Sequence, residues 1–422
     1  MTQLDRRTAL ISGLGAAALP LVAHAAPSDP LSGDALYANV KGYSLLGEHR
    51  TGTSGDAAGT GWLMTSLEAR GFKAERQGFD YPVFELGACG IALGGQALEA
   101  FPYWTPTATP AGGVTAPLSL AGGAGKIALV DLPPGTGAGL DAPPPAQIIA
   151  AVDNGSAAVI AVTENPLGEL LAMNRNPKAP AWRCPVLLAA GRDLGALKAA
   201  AQAGAPVTVR LEGQVRPHQA QNVIGRRVRP GKPVVISTPK SGWRHCAGER
   251  GSGIAIWLGL AAALAKRDDL NLIFVCSSGH EFDGYGAHLF TETLAPKPAE
   301  TRLWVAIGAN VAVYDHALRD GTVTRLPGPP KARTIGASAP LTAMTAQAFA
   351  GQPGYETPLD LDAHDAPGEL ATFRKLGYRP LIGLVAASPL HHSAKDLPEV
   401  TGPAVLEPVA KALHRTILGA LT

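Results

Sequence analysis

The sequence predicts an α/β fold with buried parallel strands, and three observations lead there. Two short apolar runs, residues 234–236 and 272–276, flank an apolar segment of helical length, residues 253–266. Unbroken apolar runs around a helix read as a βαβ unit whose strands are covered on both faces. Each run opens into a polar loop, residues 237–249 and 277–283, and in open α/β sheets ligands sit beyond the carboxyl ends of the strands. The chain has 422 residues, with 50 Gly and 36 Pro. That is too long for one ordinary core and too rich in loops for a helical bundle, so two domains are expected.

The chain opens with Asp5-Arg6-Arg7-Thr8-Ala9-Leu10, an apolar stretch over 10–23, and the small-residue site Ala23-His24-Ala25. Residues 1–25 therefore read as a twin-arginine signal peptide, which implies a periplasmic or secreted mature protein. The apolar part is shorter than a membrane span, and no later run is long enough for one. The formal charge of +2 gives no drive toward nucleic acid or acidic membranes. The local cluster Arg226, Arg227 and Arg229 reads as a solvated turn before Pro230-Gly231. Four cysteines in an oxidising compartment allow disulfides. Cys89 is expected to pair with Cys184, since both lie in one inserted segment; Cys246 and Cys276 pair or simply pack.

After a linker, a helical pattern places Trp62, Leu63 and Leu67 on one face and stops at Gly71. A strand follows over 72–83. Residues 85–213 differ in texture: Gly, Ala, Pro and Thr dominate and charge is sparse. Strand-like runs at 126–130, 157–162, 186–188 and 207–211, with helices at 146–153 and 194–203, read as a small β-rich insert acting as lid or spacer. The α/β pattern resumes at Asn222-Val223-Ile224-Gly225, so residues 35–84 and 214–422 form one domain. A strand at 303–307, a helix at 341–350, a strand at 380–385 and a helix at 403–418 complete it.

Glu249, Glu281 and His392 each lie in a loop after a strand or at a helix start. Two carboxylates and an imidazole are a zinc-binding set when they converge and leave a position open; the same residues also read as ordinary loop groups. An imidazole suits a general base near neutral pH, or a metal ligand, and His280 stands at the base position. Lys240 suits a substrate carboxylate or oxyanion, or a structural pairing with Glu249 or Glu281; Ser241 beside it is an awkward nucleophile. Trp243 and Tyr285 flank the crevice as substrate-pocket candidates. Asp396 either orients His392 or caps a helix. His391 and His245 are expected to point away, because neighbours on an extended segment face opposite sides. Glu369 reads as helix-end stabilisation.

The mature chain resembles the co-catalytic zinc exopeptidase family of secreted bacterial aminopeptidases, which has glutaminyl cyclases as one-zinc relatives. Residues 46–72 resemble its N-terminal segment. Gly125-Lys-Ile-Ala-Leu-Val-Asp131 and Gly155-Ser-Ala-Ala-Val-Ile-Ala161 resemble a protease-associated domain. Glu249-Arg250-Gly251-Ser252-Gly253 is similar to the family's Asp-Asn-Ala-Ser-Gly, whose acid bridges two zincs. Gly279-His280-Glu281 is similar to its Gly-Glu-Glu, and His392-Ser393-Ala394-Lys395-Asp396 to its His-Thr-Pro-x-Asp. The resemblance implies a three-layer sandwich around a mixed, mostly parallel sheet. It also implies a hydrolase acting on peptide or amide bonds of a peptide or small-molecule substrate.

The departures are as informative. The family's His-x-Asp ligand pair falls on Thr238-Pro239-Lys240, and its further Asp on Ala309 or Asn310. One metal subsite is thus dismantled, and the expectation is a single zinc on Glu249, Glu281 and His392, with His280 as base and Lys240 in the empty subsite. Two alternatives stay open: a metal-free homologue holding a small anionic ligand through Lys240, and a metal-independent hydrolase using His280 with Glu281.

Overall fold

The computed structural model describes residues 29–133, 143–163, 165–176 and 178–422; the expected signal peptide lies outside the described residues. The core is three layers deep, as expected. Its sheet runs in the order Leu359–Asp360, Arg333–Ala337, Leu381–Ala386, Leu303–Ile307, Val234–Pro239, Leu272–Ser277 and Pro206–Arg227. The four strands from Leu381–Ala386 to Leu272–Ser277 pair parallel, and antiparallel strands flank them.

Alternation along these strands explains why they read as unbroken apolar runs. Val234 and Ile236 face one helical layer, which includes Gly33–Ser44, Ser54–Glu68, Ser252–Leu264 and Pro403–Ala420. Val235, Ile273 and Val275 face the other, where Tyr285–Thr293 and Glu369–Lys375 pack. Both faces of each central strand are buried, so no polar alternation is left to see. The Gly33–Ser44 helix was not expected: residues 27–34 look like linker, yet Leu36, Val40 and Tyr43 are fully buried.

A second core occupies most of the expected insert. Val114–Ser119, Ile127–Leu132, Ala158–Thr163 and Val186–Ala190 form its sheet, with helices Ala146–Asp153 and Leu194–Ala203 beside it. It is not hung on flexible linkers. Lys73–Leu93 and Pro206–Arg227 run antiparallel from Lys73 opposite Arg226 to Leu93 opposite Val207, with a register shift between Leu86 and Cys89. The boundaries at 84/85 and 213/214 therefore fall inside two continuous strands. The expected Cys89–Cys184 pairing is corrected, since all four thiols are free, and Cys246 and Cys276 simply pack in the core. Cys89 stands opposite Leu211 in that ladder, Cys184 lies in the loop before Val186–Ala190, and burial pushes both thiols up.

Among the described residues no helix is long and apolar enough to cross a membrane.

Candidate active site

Beyond the carboxyl ends of the core strands lies a cavity of about 640 Å³. Its walls come from both cores: Asn310, His391, His392, His280 and Glu369 from the core, and residues that include 171–174 from the insert.

Glu249 is the buried centre of this end of the molecule. The chain turns through a left-handed Cys246 (φ 50°) into a π-helical turn, Ala247–Gly251, that opens the Ser252–Leu264 helix. Asp396 accepts the amide N–H groups of Gly248 (2.6 Å) and Glu249 (2.9 Å). Of the two roles foreseen for Asp396, this is the cap: it satisfies donors that a helix start leaves open.

The Glu249 carboxylate meets His392 Nε2 at 3.4 Å and His391 Nδ1 at 3.8 Å, one imidazole to each oxygen. The Arg250 guanidinium lies 2.6 Å from Oε1, yet neither oxygen has a hydrogen-bond partner and both are buried. Burial alone would raise this carboxyl, but Arg250, His391 and His392 hold it well below the usual carboxylate range. Burial and the adjacent His392 push His391 down to about 3.

His391 was expected to turn away. It does not, because His392 adopts a left-handed backbone (φ 64°) that breaks the alternation of an extended segment. The two rings stack with centroids 3.8 Å apart. A non-glycine residue in this region is uncommon and marks a position held by its surroundings. Here the holder is visible: His392 Nδ1–H donates to the Ala172 carbonyl at 2.9 Å, leaving Nε2 aimed at Glu249.

Ligand atoms of Glu249, His391 and His392 all lie within 4.8 Å of one another. A tetrahedral zinc with bonds of about 2.1 Å separates its donors by roughly 3.4 Å, close to the two distances found. A buried carboxylate and two imidazoles are suitable donors, so the three residues could hold a single zinc ion, with the Arg250 guanidinium 2.6 Å from Oε1 as a competing partner. Glu281, expected as a ligand, is not in this cluster. Its oxygens accept the Thr51 amide N–H (2.6 Å) and the Ser241 hydroxyl (2.7 Å).

Lys240 does not reach the cavity and pairs with neither glutamate. Its ammonium is buried against Asp56, binding both that carboxylate and its backbone carbonyl. Ser278 Oγ and the Gly52 amide complete the shell around Asp56. Trp243 is fully buried, donates to Asn174 Oδ1 (2.8 Å), and packs among Phe101, Trp104 and Phe282. Tyr285 packs on Phe79 and Tyr81. Neither ring lines the cavity.

His280 does line it. Its Nδ1 binds Glu369 Oε1 at 2.9 Å, which leaves Nε2 as the second ring nitrogen. Burial works to raise Glu369, but the imidazole beside it holds the carboxyl below its usual value. Glu369 is thus the carboxylate partner of His280, in place of the expected Glu281. The sequence signal was faint: Glu369 follows Gly368 at the start of a short helix and looks like any helix-start acid.

No family model matches the chain, and no curated protein matches it. Solved structures do. A zinc aminopeptidase from Bacillus subtilis superposes with a TM-score of 0.71 at 16% identity, covering 93% of this chain and 96% of its own. An aminopeptidase from Aneurinibacillus gives 0.62 at 17%, covering 93% and 94%. A peptidase precursor from Shewanella amazonensis gives 0.69 at 15%, covering 90% and 91%. At such identities the likeness is one of fold: along nearly its whole length, this chain has the fold of those proteins.

Proposed function

We propose that this chain is an exported hydrolase of peptide- or amide-type bonds, in which His280 is the general base and Glu249, His391 and His392 hold at most one zinc ion. One observation carries the reading: the carboxylate-held imidazole of His280 faces the same cavity as His391 and His392. A zinc aminopeptidase shares this fold, which supports the reaction class.

Glu369 fixes the His280 ring with Nδ1 toward itself, so Nε2 is the proton acceptor. In the reaction, Nε2 takes the proton of the attacking water as the new C–O bond forms. It then returns that proton to the leaving nitrogen as the C–N bond breaks. The same His–carboxylate logic underlies many acyl-transfer sites. When bound, zinc would polarise the carbonyl and lower the pKa of a bound water. The rest of the lining is largely apolar, with Leu171, Met173, Ile307, Leu370 and Val385 among it, which suits an apolar group beside the scissile bond.

A second reading keeps His280 and Glu369 and drops the metal. It is favoured by Arg250, whose guanidinium already balances the Glu249 charge. Metal analysis of the protein after equilibration with zinc separates the two. About one zinc per chain, lost in Glu249→Ala, together with amide hydrolysis abolished by chelation, supports the zinc hydrolase. Hydrolysis that survives chelation but not His280→Ala selects the metal-free route. No hydrolysis of any amide or peptide panel under either condition overturns both.

A further inference from the structure

Among the insert residues that line the cavity, one short segment does more than cover it. Ala172 N–H donates to the His392 carbonyl at 3.0 Å, while the Ala172 carbonyl takes His392 Nδ1–H at 2.9 Å. One residue of the insert thus grips both the backbone and the ring of a left-handed histidine. Two residues on, Asn174 accepts the indole N–H of Trp243, on the loop that carries Ser241. Three residues before, Glu169 is buried and binds Lys395 at 2.5 Å, within the same core loop as His392. Its other oxygen is held by Arg192 of the insert at 3.0 Å, which in turn binds Glu99. Leu167 packs beside Val313, Leu390 and Val400 of the core. The segment is braced from within as well: Asn165 Oδ1 accepts from the amides of Leu167 and Glu169, and Thr163 Oγ1 from that of Leu171.

We infer that Glu169–Asn174 is a positioning strap: the insert uses it to set the tautomer and backbone of His392, so that Nε2 is the nitrogen presented to Glu249. The chemistry is direct. A neutral imidazole has one N–H, and a carbonyl at Nδ1 keeps it there, leaving the Nε2 lone pair for a cation. Partners of this kind typically set ring orientation, and their loss commonly lowers metal affinity by about 10- to 100-fold. Among the described residues, the Ala172 carbonyl is the hydrogen-bond partner of His392 Nδ1, so it is the group that selects that tautomer. The insert is then a part of the site, supplying one wall and one fixed hydrogen bond.

The inference rests on the proposed reading only for its metal consequence, and the test separates the two. The full chain, labelled with ¹⁵N-histidine, is observed by two-bond ¹H–¹⁵N correlation in alkaline buffer without metal, where the His392 tautomer is read directly. Zinc affinity is measured in parallel by competition with a chromophoric chelator. In the parent, His392 should be the Nδ1–H tautomer. Ala172→Pro removes the N–H that holds the His392 carbonyl; it should mix the tautomers and weaken zinc binding by about tenfold or more. Lys395→Met and Glu169→Gln, which leave the backbone bonds of Ala172 in place, should each weaken it a few-fold, with no further loss in the double variant. An Nε2–H tautomer in the parent overturns the strap. So do Lys395→Met and Glu169→Gln proteins with unchanged tautomer and affinity. A parent with the Nδ1–H tautomer that takes up no zinc would leave the strap standing and sink the zinc reading instead.

Discussion

The Glu249 neighbourhood shows how far single residues could be read. Glu249 and His392 were visible because each follows a strand and carries metal-binding chemistry. His391 was hidden by one backbone angle, since periodicity assumes an extended chain and His392 departs from it. Glu369 was hidden by distance, because its partner His280 lies 89 residues earlier in the chain. His280→Ala should lower kcat by about 10²- to 10⁴-fold with little change in KM, the usual size of a lost general base. Glu369→Gln should lower it less, since the amide still holds the ring; steady-state kinetics on an amide substrate compare the two, and equal losses would mean the charge of Glu369 matters as much as the imidazole. A second prediction concerns His49, stacked on Tyr43. Burial, then the nearby Lys240 ammonium, push it down to about 3 from 6.5. Its folded pKa is depressed, so between about 6.5 and 3 the unfolded chain binds a proton that the folded chain does not. Stability should therefore be lost as pH falls through that window, by about 1.4 kcal/mol per pH unit for this group. Urea titrations from pH 7 to pH 4 should show that slope flattened by one proton in His49→Gln.

At the scale of elements, the apolar runs and helix stops located the central parallel strands and six of the helices to within a few residues, but not Gly33–Ser44, Tyr285–Thr293, Glu369–Lys375 or strands such as Val114–Ser119 and Arg333–Ala337. Nor could they locate the partner of Lys240. The residue ends the Val234–Pro239 strand, and its partner Asp56 sits in the first turn of Ser54–Glu68, a helix-start acid by every local sign. In the fold this ion pair ties that helix to the carboxyl end of the central sheet, where a resemblance-based alignment expects metal ligands. Tyr43 adds a bond from its hydroxyl to the Lys240 carbonyl, so two N-terminal helices converge on one strand end. Removing one partner of a buried pair strands the other charge, at a cost of about 3–5 kcal/mol. Lys240→Met should accordingly shift the denaturation midpoint sharply, and adding Asp56→Asn should recover a good part of the loss. If the double variant were no more stable than Lys240→Met alone, the ammonium would be contributing through contacts other than Asp56.

The whole molecule was legible as two textures, but not as one piece. Composition separates the insert from the α/β core because the insert is poor in charge and rich in Gly and Pro. Composition says nothing of strands that belong to both, and those strands decide how the parts behave together. Lys73–Leu93 and Pro206–Arg227 stay paired from one core into the other. Phe282 and Trp243, from core loops, are buried in the insert's apolar cluster, and His392 is held by Ala172 of the insert. Opening either core would break a ladder, an apolar cluster and the cavity wall shared with its neighbour, so neither can unfold without exposing part of the other. The chain should therefore melt in a single calorimetric transition whose van't Hoff and calorimetric enthalpies agree. Hydrogen exchange should show continuous protection across residues 84–86 and 213–215. Two resolved transitions, or a break in protection at those positions, would mean that the insert is an independent body. The strap at Ala172 would then be a contact made and lost at ordinary temperatures, and the site would be complete only part of the time.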